Sequence, residues 1–117
     1  HVRLFVNLDS QPRLWGVGNK IQDTIKLYKE RLLPFSKLDA NRFNAKANSV
    51  LPWAEMPRHY VAFAPANMWL VNSQIVAHEI IHGRRLIACT FDVDPASMRN
   101  PDLLFSKVVP ATFKELA

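Results

Sequence analysis

The chain has 117 residues, 49% of them hydrophobic, and a formal net charge of +5 from 15 Lys and Arg against 10 Asp and Glu. This length predicts a single domain over residues 1–117, and the short apolar runs exclude a membrane-spanning helix, which needs about 20 apolar residues. Cys89 is the only cysteine, so no disulfide can form within the chain and we expect a reducing, cytoplasmic environment. Because the chain begins with His1, we expect either a processed protein or a domain of a longer one.

The first half of the sequence predicts a strand followed by a helix. Residues 2–8 alternate loosely, are rich in Val, Leu and Phe, and are followed by turn-forming residues, which favours a strand. A helix is predicted over 20–33, ended by Pro34, because apolar residues recur there at helical spacing, namely Ile21, Ile25, Tyr28 and Leu32. The polar, Asn-rich residues 36–50 indicate a short helix or an irregular segment.

The second half predicts mostly strands. The short apolar runs at 59–64 and 68–71 are separated by turn residues, which is typical of a hairpin. Residues 85–93 are rich in β-forming side chains and predict a further strand. The proline-containing tail predicts a loop with a final helical turn near Phe113.

A second helix is predicted over residues 74–82. Asn72 or Ser73 can cap its start, and Gly83 can end it. Together these elements predict an α+β fold in which a small mixed or antiparallel sheet packs against the helices at 20–33 and 74–82.

One motif with catalytic chemistry lies on that second predicted helix. His78, Glu79 and His82 form the pattern H-E-x-x-H. Two histidines four residues apart on a helix project from one face, where both imidazoles can reach a single Zn²⁺. A carboxylate beside them can take a proton from a metal-bound water and pass it to a leaving group. The pattern therefore predicts a zinc-dependent hydrolase with Glu79 as the catalytic base.

On these residues the chain resembles the zincin metallopeptidases, whose signature is the same motif on a helix. The resemblance covers about ten residues and implies a peptidase with His78 and His82 as zinc ligands. A catalytic zinc normally has three protein ligands. The metzincin extension is excluded, because Arg85 stands where it has a glycine and Ala88 where it has the third histidine. A gluzincin-like carboxylate is the remaining option, with Glu115 as the best-placed candidate and three alternatives, Asp92, Asp94 and Asp102.

Two other interpretations of the chain remain open. His78, Glu79 and His82 can also be the solvated face of an ordinary surface helix, opposite an apolar face. The net charge of +5 favours anionic partners, so the alternative to an enzyme is a basic binding or assembly module that contacts nucleic acid or an acidic protein surface. Oligomerisation is compatible with either function.

Overall fold

The computed structural model describes residues 2–117, which divide into two compact units. The sandwich unit comprises the residues up to Asn19 together with Pro57–Asp94, and the helical unit comprises Lys20–Met56 and Pro95–Ala117. Helices and short antiparallel strand pairs are both present, so the predicted α+β class is confirmed. The prediction of one domain over residues 1–117 stays a prediction. Across the described residues, no helix is long and apolar enough to cross a membrane.

The strands form two sheets of three strands each within the described residues. In the first sheet, β1 lies between β4 and β6 and is antiparallel to both, with Leu4 opposite Leu70 on one side and Cys89 on the other. In the second sheet, β2 lies between β3 and β5. The strand bounds are β1 Val2–Asn7, β2 Arg13–Lys20, β3 His59–Phe63, β4 Met68–Val71, β5 Val76–His82 and β6 Leu86–Phe91.

The two sheets meet through a cluster of aromatic rings. Trp15 of β2 is 1% exposed and makes edge-to-face contacts with Phe5 and Trp69 of the first sheet, with ring centroids 5.1 and 5.7 Å apart. Phe63 of β3 stacks on Trp69 at 3.8 Å. Because residues alternate between the faces of a strand, these contacts identify the inward faces of the four strands that carry them.

The helical unit closes around its own apolar core. Phe43 is fully buried, and its ring lies 6.3 and 5.8 Å from those of Phe105 and Phe113. Asp39 caps the third helix by accepting a hydrogen bond of 3.0 Å from the backbone amide of Arg42. The α-helix bounds are α1 Ile21–Leu27, α2 Lys29–Leu32, α3 Ala40–Val50 and α4 Phe105–Glu115.

The predicted helix over residues 74–82 is wrong, because that segment forms strand β5. Its four β-branched residues, Ile75, Val76, Ile80 and Ile81, suit a strand. The predicted helix over 20–33 is confirmed in position, although it is divided at Tyr28 into α1 and α2. The tail forms an eleven-residue helix, α4, where a single turn was expected.

Candidate functional site

The strand conformation of β5 separates the residues of the H-E-x-x-H motif. Neighbouring residues of a strand point to opposite faces, so His78 and Glu79 cannot face the same ion. His78 and His82 share a face, but four residues of strand place them about 13 Å apart. The geometry that would let two imidazoles bind one metal belongs to a helix and is absent from this strand.

His78 faces the interior of the sandwich unit. Its ring stacks on Trp15 with centroids 5.1 Å apart and an interplanar angle of 18°. Nδ1 lies 2.9 Å from the backbone carbonyl oxygen of Val76. A carbonyl accepts only, so Nδ1 is the donor in this contact, and in the neutral imidazole the lone pair is then on Nε2. The ring is half-buried, and the Trp15 and Val76 contacts fix its orientation.

Glu79 lies on the outward face of β5, in an ion pair with Arg58. Its side chain packs against Gly16 of β2, where an added Cβ would lie 2.8 Å from Oε1. Glycine at position 16 therefore makes room for the carboxylate beside the neighbouring strand. With its charge balanced by a guanidinium and its position on the outward face, Glu79 is set apart from His78.

The remaining predicted ligands are dispersed. His82 is exposed at the end of β5, and Glu115 is exposed near the end of α4 in the helical unit. Asp102, one of the alternatives, pairs with Lys107 at 3.8 Å. Within residues 2–117, no three His, Cys, Asp or Glu side chains come close enough together to hold a metal ion.

Arg13 was not predicted from the sequence and is a buried charged group on the same inward face. It begins β2, two residues before Trp15, so both side chains lie on the inward face. Arg13 is only 6% exposed, and its Nε has no hydrogen-bond partner. Burying a cation without full hydrogen bonding is costly. The signal in the sequence that could have identified Arg13 is its spacing of two residues from Trp15, which places both side chains on one face of a strand.

The turn after β5 packs directly on Arg13. Gly83 has φ +151°, a conformation that L side chains rarely adopt, and a Cβ there would lie 2.4 Å from Nη1 of Arg13. Glycine at position 83 is thus required both by its backbone conformation and by the closeness of the guanidinium. The β5–β6 turn and the start of β2 form one end of the inward surface.

Asp9 is the acidic group at that end. Arg84 approaches it with Nε 3.7 Å from Oδ2, and the backbone amide of Ser10 donates to Oδ1 at 2.7 Å. Burial alone would raise the pKa of Asp9, but hydrogen bonds from Ser10 and Gln11 and the charge of Arg84 lower that pKa below its ordinary value. Asp9 is therefore held as a carboxylate and balances Arg84.

The fold of the chain is similar to that of one solved enzyme structure. No protein-family model and no curated protein matches the sequence. Over 97% of its length the chain is similar to the apo structure of the Kdo hydroxylase KdoO, a non-heme Fe(II) α-ketoglutarate-dependent dioxygenase, with a TM-score of 0.75 and 18% identity. The chain spans 46% of that protein's length. At this identity, the likeness shows the fold.

These findings correct the zinc-peptidase interpretation. The zincin resemblance is wrong, because the motif lies on a strand and the fold is that of a non-heme iron dioxygenase. The predicted zinc cofactor and the hydrolase function are wrong as well, since the described residues contain no group that could hold zinc. The motif was a chance match of three positions in a β-strand.

Proposed function

We propose that the sandwich unit takes part in Fe(II)- and α-ketoglutarate-dependent oxidation, with His78 as an iron ligand and Arg13 as the cation that binds a carboxylate of α-ketoglutarate. The fold likeness to a dioxygenase supports the class of reaction. The observation that carries the proposal is the inward-facing imidazole of His78, whose Nδ1 lies 2.9 Å from the Val76 carbonyl oxygen, an arrangement that would leave Nε2 for the metal.

The surroundings of His78 support its proposed role as a metal ligand. Ligating histidines usually donate their second ring N–H to a carbonyl or a carboxylate, which sets the tautomer and the ring orientation. The Val76 carbonyl has this role here, and the stacked Trp15 ring holds the imidazole plane.

The proposed reaction also needs a cation to bind α-ketoglutarate, which is a dicarboxylate, and we assign this role to Arg13. A guanidinium donates two parallel hydrogen bonds to a carboxylate, and such bonds are stronger than neutral ones. Arg13 and Trp15 are two strand residues apart, about 6.6 Å, and Trp15 contacts His78. Arg13 lies beside Gly83, at the end of the inward face that also carries His78.

The described residues fit an iron site only in part. His78 provides one imidazole, and no further His, Cys, Asp or Glu side chains between residues 2 and 117 complete a group of three with it. Bound iron and α-ketoglutarate would supply the oxidising power. The roles assigned to this chain are to fix the His78 tautomer, to neutralise a carboxylate with Arg13 and to exclude water with the aromatic cluster.

Metal binding can be tested by nuclear magnetic resonance on the full chain. Co²⁺ is paramagnetic and broadens the signals of nearby protons, so titration with Co²⁺ should broaden the His78 ring and Trp15 indole signals first. His78→Ala should abolish this broadening, and His82→Ala, a change at an exposed position of the same strand face, should leave it unchanged. Broadening centred on His82 or His59, or none at Trp15, would show that the proposal is wrong.

Binding of α-ketoglutarate tests the role of Arg13. Losing a charge-assisted hydrogen bond costs about 1.5–3 kcal/mol, so Arg13→Gln should weaken α-ketoglutarate binding roughly ten- to hundred-fold, as measured by calorimetry. Arg42→Gln, on an exposed arginine of the helical unit, is the control and should change nothing. Equal affinities of the two variants would remove Arg13 from the proposal.

The anionic partner and the cytoplasmic location that the sequence predicts remain predictions. The net charge of +5 still favours an anionic partner, either nucleic acid or an acidic protein surface. A cytoplasmic location stays a prediction that depends on the absence of any possible internal disulfide.

A further inference from the structure

Strand β6 is an edge strand whose backbone is paired on one side only. It lies at the end of the first sheet, beside β1, and no other strand among the described residues pairs with it. The amide of Leu8 donates to the carbonyl oxygen of Arg85 at 3.2 Å, so the carbonyl of Arg85 points towards β1. Because backbone groups alternate in direction along a strand, those of Leu86, Ala88 and Thr90 point away from β1, along what we call the free edge.

The free edge lacks the features that normally prevent an edge strand from pairing with another chain. Such features include short length, charged side chains and proline. The opposite edge strand of this sheet, β4, is only four residues long, and β5 of the second sheet carries Glu79 at its centre. By contrast, β6 has six residues with no charged side chain and no proline among them, and five of the six are exposed. The free edge is therefore open to a further strand.

Opposite charges stand at the two ends of β6. Arg84 precedes the strand, and Asp92 follows it directly. The Arg84 side chain approaches Asp9 at 3.7 Å but is 74% exposed. When two identical strands pair antiparallel, the start of one lies beside the end of the other. A cation before the strand and a carboxylate after it therefore make β6 complementary to a second copy of itself.

One register satisfies both the backbone groups and the charges. With Ala88 opposite Ala88 of a second copy, Leu86 lies opposite Thr90, and Arg84 lies opposite Asp92. The three residues of the free edge then all form hydrogen-bonded pairs. Opposite charges that face each other across two strands are stabilising. The paired residues also share one face of the joined sheet, because they are an even number of positions apart along the strand.

The sandwich unit carries little net charge to oppose such a contact. It contains five arginines and no lysine against four Asp and Glu, a formal charge of +1. Most of the positive charge of the chain thus belongs to the helical unit. Like-charge repulsion between two sandwich units is therefore small.

We propose that β6 is a dimerisation surface, which pairs antiparallel with β6 of a second copy of this chain and is centred on Ala88. The two first sheets then join into one continuous sheet. Backbone hydrogen bonds from Leu86, Ala88 and Thr90 hold the contact, and ion pairs between Arg84 and Asp92 at both ends fix its register. The partner is a strand, because an extended backbone matches the spacing of these groups.

Disulfide trapping tests the register directly. In a Cys89→Ser background, Ala88→Cys places two thiols opposite each other, at a pair whose Cα atoms are about 5.5 Å apart, within the range of a disulfide. Thr90→Cys is the matched control, because its two copies would lie four residues apart along the strands, about 13 Å. After mild oxidation, a non-reducing gel should show Ala88→Cys mostly as a covalent dimer and Thr90→Cys as a monomer. Equal cross-linking of the two variants would overturn the proposal.

Sedimentation velocity measures the association without cross-linking. Wild type should have the mass of two chains at about 0.1 mM and of one chain after roughly hundred-fold dilution, as expected for a small interface. Arg84→Asp and Asp92→Arg should each weaken dimerisation about ten-fold, because each places like charges opposite each other at both ends of the contact. The double variant should restore it. Arg99→Asp, at an exposed position of the helical unit, is the control and should change nothing.

Circular dichroism of each variant establishes that it is folded before its mass is interpreted. A wild-type chain that is monomeric at about 0.1 mM would refute the dimer. A dimer that neither charge reversal weakens would have its contact elsewhere, and a double variant no stronger than the single ones would show that Arg84 does not face Asp92. Either result would also overturn the proposal.

Discussion

The helical unit and the sandwich unit treat their apolar residues in opposite ways. The helical unit buries Ile25, Leu32 and Phe43 completely. In the sandwich unit, Phe5 and Trp15 are buried, whereas Leu70 and Phe91 remain 66% and 48% exposed. Amphipathic helices can pack their apolar stripes against each other, but a sheet has two faces and the partner sheet covers only one. The first sheet therefore keeps one apolar face exposed.

The largest expected effect is in the core of the helical unit. Phe43→Ala should lower the free energy of unfolding by about 3–5 kcal/mol, because it removes a fully buried ring and leaves a cavity between Phe105 and Phe113. Urea denaturation followed by circular dichroism measures the change. A loss of unfolding free energy below about 1 kcal/mol would mean that the Phe43 ring is not tightly packed in this core.

Loss of the cap at the N-terminus of α3 should have an intermediate effect on stability. Asp39→Ala removes the acceptor for the Arg42 backbone amide, and loss of such a cap costs about 1 kcal/mol. Asp39→Asn keeps an acceptor oxygen and should restore most of the stability in the same urea experiment. An unchanged midpoint for Asp39→Ala would show that local capping does not contribute to this unit.

Phe91 offers the matched test on the sandwich unit. Phe91→Ala makes the same chemical change as Phe43→Ala, but the ring is 48% exposed, so the loss should be about 1 kcal/mol or less. A loss as large as that of Phe43→Ala would mean that the outward face of the first sheet, which carries Phe91, is already covered in solution.

The smallest expected effect concerns pH. The pKa of Asp9 is lower in the folded chain, so its stabilising contribution is present above its ordinary pKa, 3.8. That contribution is lost as the pH falls through the lower folded value. Wild type should exceed Asp9→Asn in urea stability at neutral pH, and the difference should shrink below about pH 4. A difference that is constant down to pH 2 would contradict the ionic role of Asp9.

The candidate site shows how a correct motif match can mislead. The sequence predicts a helix for H-E-x-x-H because Asn72 or Ser73 and Gly83 suit the two ends of a helix. In the structure, Gly83 lies in the turn between two strands and makes room for Arg13. Of the two histidines on the inward face of β5, His78 stacks on Trp15, whereas His82 is exposed at the end of the strand. The helix at α4 was missed because Pro110 argues against a helix locally, whereas burial of Phe105 and Val109 outweighs that cost.

The sequence alone determined the α+β class, the helical region over 20–33 and the strands near 2–8, 59–64, 68–71 and 85–93, because their periodicity and turn residues are local properties. Tertiary structure alone decided that Val76–His82 is a strand and that Arg13 is buried. A strand obtains its hydrogen bonds from a neighbour distant in sequence, here β2. The inward-facing site therefore depends on pairings that no short motif contains.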